Sequence, residues 1–360
     1  MIPALRCAVL VVCVLGCLGA TSDRRLALLS EAEQALSSGD VDRASGALES
    51  AAQMAHSADT ELLQVRAMMQ AGRYSQAAAF AAHTAGDHHE GLTPVALYAW
   101  LLVLGGQEDI GRRRLEEALH DSPSEPIALD VQRLIADPSV VMPPELFEAP
   151  HRFAPYAVIL AGNPPSPTAI VAGNGVLWSE SLVLVSAPVA LQAKRLWVRN
   201  ALGQTVPVRN AHSLPSVGLI ALDLQAPLAV GDTEHASAAP FAGSPGFVAD
   251  YPPVQNSAPA WPRLHHGFFG GITLSSNVRR LGIKLPPGPR GGPVFDKAGR
   301  LAGIAVVSNG GDTLVPVAAV ESALGVSHAT TSPPQSSSSL SFDAGYERAM
   351  RIAVQLIVER

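Results

Sequence analysis

Gly288-Pro-Arg-Gly-Gly-Pro-Val-Phe295, followed closely by Gly299-Arg-Leu-Ala-Gly-Ile-Ala-Val-Val307, sets two short apolar runs beside a turn built from glycine and proline. Glycine supplies the backbone angles that a sharp turn demands, and proline ends any helix. The segment therefore reads as turn, strand, turn, strand. The same grammar extends upstream through Ala157-Val-Ile-Leu160, Ala169-Ile-Val-Ala172, Leu182-Val-Leu-Val185, Leu196-Trp-Val198, Thr205-Val-Pro-Val208 and Gly218-Leu-Ile-Ala-Leu222. Many short runs of this kind, broken by Gly, Pro and Asn, predict an all-β barrel or sandwich over residues 153–326.

Five pieces of this region occur in an order that resembles trypsin-like serine proteases, above all their bacterial high-temperature-requirement branch. Gly173-Asn-Gly-Val176 is similar to the family's early Gly-Ser-Gly strand, and Leu182-Val-Leu-Val-Ser-Ala-Pro-Val189 to the segment that normally ends Thr-Ala-Ala-His-Val. Val217-Gly-Leu-Ile-Ala-Leu222 resembles the Asp-Leu-Ala-Leu-Leu strand. Gly288-Pro-Arg-Gly-Gly-Pro293 resembles the nucleophile loop Gly-Asn-Ser-Gly-Gly-Pro, and Thr313-Leu-Val-Pro316 the last strand. The resemblance implies a double β-barrel. It also implies which positions would carry the chemistry: Pro188 stands where the family has His, Gly218 where it has Asp, and Arg290 where it has Ser.

Acyl transfer on this fold needs a hydroxyl nucleophile, an imidazole to move its proton and a carboxylate to orient the imidazole. Proline and glycine carry no titratable side chain, and arginine stays protonated. The expectation is an inactive protease homologue with no catalytic residue. Backbone amides from Gly288 to Arg290 still offer an oxyanion-hole-like nest, but donors alone cleave nothing. Asp223, Ser186, Lys284 and the histidines His212, His265 and His266, the last three expected in loops, are the candidates for displaced machinery; none has a partner at a family spacing. Arg290 is expected to fill the cleft, pair with a carboxylate or meet a ligand carboxylate.

Residues 21–137 have a different character, with apolar residues at helical spacing. Gly39-Asp-Val-Asp-Arg-Ala44, Gly72-Arg-Tyr-Ser-Gln-Ala77 and Gly106-Gln-Glu-Asp-Ile-Gly111 recur 33 and then 34 residues apart. In each, glycine closes one helix and a small residue five positions later lets the next helix pack closely. A period near 34 resembles tetratricopeptide (TPR) repeats. That likeness implies a peptide-binding concave face, on which Gln64, Arg66 and Gln70 are the candidates. His83, Asp87, His88, His89 and Glu90 offer metal-ligand types, but are read as an exposed polar loop; no metal and no cofactor is expected.

At the start, Arg6 precedes an apolar run from Cys7 to Ala20, a signal segment over residues 1–20. Val14-Leu15-Gly16-Cys17 is similar to the bacterial lipoprotein box, which makes Cys17 the lipidation candidate; plain cleavage near Ala20 is the alternative. The chain is expected to be exported to a bacterial periplasm or cell envelope, with any membrane contact made through that lipid. Prolines mark a linker at 138–152 and serines a second at 327–341. Residues 342–360 are expected to form an amphipathic helix, with Phe342, Tyr346, Met350, Ala353, Leu356 and Ile357 at three- and four-residue steps.

Of 360 residues 48% are hydrophobic and 16% charged, which excludes wholesale disorder. The net charge of -6, with no basic stripe, argues against nucleic acid. The fold class expected is multidomain, an α-helical TPR-like solenoid followed by a trypsin-like double β-barrel. The function expected is a non-catalytic scaffold or adaptor that binds a protein or peptide, including an envelope protease or its substrates. Two alternatives stand beside it: regulation of an active homologous protease, and a serine endopeptidase with unorthodox residues.

Overall fold

The computed structural model describes residues 22–36, 40–89, 91–136, 168–190, 193–228, 233–251, 260–272, 279–288, 290–308, 311–326 and 341–359. The expected signal segment with Cys17, the linker 138–152 and the 327–341 tract up to residue 340 lie outside the described residues.

The helical region runs through α1 (22–36), α2 (Val41–Ala52), α3 (Ala58–Gln70), α4 (Tyr74–Asp87), α5 (Thr93–Leu104), α6 (Glu108–Asp121) and α7 (Pro126–Ala136). Three helix pairs share one turn. An amide just past the first helix of each pair reaches back five residues, Asp40 to the Ala35 carbonyl (2.9 Å), Arg73 to Met68 (2.8 Å) and Gln107 to Leu102 (2.8 Å). Gly72 and Gly106 hold the left-handed conformation that this closure requires, at φ 71° and 82°. The small residues also act as expected: Ala44 and Ala77 are buried, and a side chain at Gly111 would run into the Ala99 carbonyl of the partner helix.

Twelve strands close two antiparallel barrels. The first contains β1 (Ile170–Ser179), β2 (Leu182–Ser186), β3 (Arg195–Arg199), β4 (Thr205–Leu214) and β5 (Leu219–Leu224). The second contains β6 (Pro245–Asp250), β7 (Arg263–Ile272), β8 (Arg279–Gly282), β9 (Pro293–Asp296), β10 (Leu301–Ser308) and β11 (Gly311–Pro316). A short helix, α8 (Ala187–Ala190), follows β2, and α9 (Val317–Leu324) follows β11.

The sixth strand of the first barrel corrects the sequence reading of residues 342–360. Helix α10 covers only Phe342–Ile352; Ala353–Glu359 then forms β12, inserted between β1 and β3 in the order β1-β12-β3-β4-β5-β2. Its register pairs Ile170 with Val358 on one side and Arg199 with Gln355 on the other. The helical spacing is real but loses to burial on both faces. Val354, Leu356 and Val358 enter the main barrel core, whereas Ile357 packs with Trp197, Val171 and Ala169. A helix over the same residues would cover only one stripe.

Helix α10 also joins the two regions. Met350 lies in the helical core, Ala349 and Ile352 in the barrel core. Glu347 accepts from the Ser75 amide and hydroxyl at the start of α4 (3.1 and 2.7 Å), and Tyr346 donates to the Pro262 carbonyl (2.7 Å). Trp261 adds a second tie: its amide donates to Leu104, its indole to the Ala201 carbonyl (3.2 Å), and its ring meets Tyr74 edge-on.

Candidate functional site

The three positions that the resemblance singles out converge beside the first barrel's rim. Pro188 lies exposed in α8, directly after β2; Gly218 is an exposed turn residue at φ 65° leading into β5. These two segments touch, since the Ala187 amide donates to the Gly218 carbonyl (3.2 Å). The loop before β9 arrives from the second barrel. Gly291 there, at φ 135°, lies so close to the Asn174 carbonyl that any side chain would strike it, and it would crowd the Ser186 amide as well. The positions singled out by the resemblance carry Pro, Gly and Arg, and Ser186 approaches them through its backbone amide.

Arg290 is buried, and four of its five N–H donors are committed. Nε and Nη2 grip Asp312 in a two-pronged pair (2.6 and 3.0 Å), while Nη1 donates to the Pro286 and Gly288 carbonyls (2.8 and 3.0 Å). The guanidinium thus ties the loop to itself and to β11, the planar geometry for which arginine is suited. Of the roles considered for Arg290, pairing with a carboxylate is the one observed.

A polar knot that the sequence did not reveal lies beside it. Asn174 of β1 is buried; its amide donates to Asp250 Oδ1 and its carbonyl oxygen accepts from the Tyr251 amide, tying the two barrels together. Burial pushes the Asp250 carboxyl up to about 6, against the pull of the nearby Arg290 charge and the Asn174 hydrogen bond. His265 Nε2 lies 3.8 Å from Asp250 Oδ2, and burial and neighbouring cations lower its pKa. Asn174, Asp250 and Asp312 left no short-range signal, because each finds its partner on a separate segment of the chain.

The displaced candidates occupy different places from those expected. His212 sits on β4, and His265 and His266 on β7, not in loops; long hairpins carry them outward along regular strands. His212 Nε2 meets Asp223 Oδ2 at 2.9 Å on an exposed face, and that hydrogen bond holds the Asp223 carboxyl below its ordinary value. Ser186 is buried on β2, where it pairs with Leu219.

On the helical region, Gln64, Arg66 and Gln70 share α3 and are half-buried. Arg66 Nε and Gln70 Oε1 are buried without a hydrogen-bond partner, and burial lowers the Arg66 pKa. The cluster read as an exposed loop is otherwise: His83 and Asp87 belong to α4, and His88 is a buried helix cap. His89 is exposed as expected, and Glu90 lies outside the described residues.

No protein-family model matches the chain, and no curated protein matches it. Among solved structures, the MamO protease domain from Magnetospirillum magneticum in its apo form is 17% identical, with a TM-score of 0.35, over 43% of this chain and 95% of its own length. The HtrA-type protease AlgW with a decapeptide is 18% identical, with a TM-score of 0.34, over 43% of this chain; the match spans 51% of AlgW. The strand pairings themselves close two six-stranded antiparallel barrels, and helices α1–α7 precede them in a separate α-helical region.

Proposed function

We propose that this chain is a non-catalytic binding protein of the bacterial cell envelope, with a TPR-like array that takes a peptide or protein segment and a protease-like barrel that supplies a second surface without cutting. The observation that carries the reading is Arg290. At the position the resemblance assigns to the nucleophile stands a cation held by Asp312 and two loop carbonyls through four of its five N–H groups, beside a proline and a glycine where an imidazole and a carboxylate would be required. Gln64, Arg66 and Gln70, half-buried along α3, are the side chains proposed to take that segment on the array. Export rests on the apolar run at residues 7–20; no helix among the described residues is long and apolar enough to cross a membrane.

The endopeptidase alternative draws on one observation, the His212–Asp223 pair, which has the acid-to-imidazole half of a triad. A fluorophosphonate serine-hydrolase probe, run beside casein cleavage and an active trypsin-like control, separates the two. The binding reading expects neither labelling nor cleavage. Labelling of one serine, abolished by its change to alanine, would sink it.

A further inference from the structure

The geometry points to a transition-metal site in the helical region, with His56, Glu61 and His88 as ligands and His83 at its rim. The three come from separate places: His56 from the loop after α2, Glu61 from the first turn of α3, and His88 from the end of α4. Their donor atoms all lie within 4.8 Å of one another. Glu61 is the hub. Its Oε1 lies 2.7 Å from His56 Nε2 and 3.8 Å from His83 Nε2, and its Oε2 lies 3.3 Å from His88 Nε2.

Two features separate this cluster from an ordinary surface ion pair. Glu61 and His88 are 5% and 7% exposed, yet Glu61 Oε2 and His88 Nε2 face each other with neither in hydrogen-bonding geometry to any group. Buried polar atoms are rarely left so, and one cation between them satisfies both. The spacing fits: ligands about 2.0–2.2 Å from a tetrahedral ion stand roughly 3.3 Å apart. His83 is also pre-aimed. Its Nδ1 lies 3.4 Å from Asp87 Oδ2, one helical turn on, which leaves Nε2 turned toward Glu61; a carboxylate behind a ligating imidazole is the usual orienting arrangement.

Imidazoles with a single carboxylate suit Zn2+ or its neighbours rather than Ca2+ or Mg2+, which require many oxygens. His56 is 62% exposed, so the ion has a way in. Bound there, it would fasten the loop leaving the first helix pair to both helices of the second, fixing the angle between the pairs.

The test is a Zn2+ titration of the purified, untagged, chelator-stripped chain against a chromophoric competitor, with thermal melting of the helical signal alongside. The expected result is one tightly bound ion per chain, a higher melting temperature with Zn2+, and no response to Ca2+ or Mg2+. Glu61→Gln and His88→Ala should weaken binding at least about tenfold. His56→Ala should do the same at an exposed loop position, which keeps the test open if the buried variants fail to fold. His212→Ala, at the distant His–Asp pair, should bind as the parent does. Failure of the parent to bind one ion, or His56→Ala binding as tightly as the parent, overturns the site.

Discussion

Ending the chain at Leu340 removes α10 and β12 and tests whether the first barrel depends on a strand encoded after the second. Val354, Leu356, Ile357 and Val358 are all at most 2% exposed. At about 1.5–3 kcal/mol for each fully buried aliphatic side chain, their loss amounts to roughly 6–12 kcal/mol, as large as the whole stability of a typical domain, about 5–15 kcal/mol. Backbone pairing adds to this, since β1 and β3 each lose their ladder to β12. The shortened chain should lose its cooperative urea transition and its near-ultraviolet dichroism from Trp197, which packs against Ile357. A synthetic peptide of residues 341–360 added in trans should restore both. A shortened chain with the parent's urea midpoint would refute the placement of β12, and with it the account of how this barrel closes.

Asp312→Asn strips the counter-charge from the buried Arg290 and should cost about 2–4 kcal/mol, less than a fully buried pair because Asp312 keeps some solvent contact; the double change Arg290→Met with Asp312→Leu should recover most of it by urea denaturation. Asp250 gives a pH signature. Its folded pKa, about 6, lies above the unfolded value, so the folded chain holds an extra proton between about 4 and 6 and stability from this group falls as pH rises through that window; Asp250→Asn should flatten that slope. Gly291→Ala combines a positive-φ backbone with collision against the Asn174 carbonyl, and should lower the unfolding free energy by at least about 2 kcal/mol.

Local features of the fold were legible in the sequence. Glycine closures at 72 and 106 could be read because a positive φ has a short sequence signature, and strands β2, β5 and β10 because their runs are apolar and brief. Pro188, Gly218 and Arg290 were singled out only through the family resemblance, since none carries a pattern of its own. What escaped depends on distant partners. Ala353–Glu359 satisfies a helical step as well as a strand, and only β1 and β3, far back in the chain, decide between them. Arg290 finds Asp312 22 residues on, and His56 meets His88 because α3 and α4 fold back together; neither pairing has a local pattern.

The insertion of β12 also sets an order of events. Residues 353–359 leave the ribosome after all of the second barrel, yet the first barrel cannot shut without them. The helix pairs, built from neighbouring contacts, can form quickly, whereas joining Ile170 to Val358 requires closing a loop of nearly two hundred residues. Through that interval β1 and β3 stand as open edges, ready to accept a matching strand from a second molecule. Crowded synthesis should therefore favour exchanged dimers, and dilution single chains.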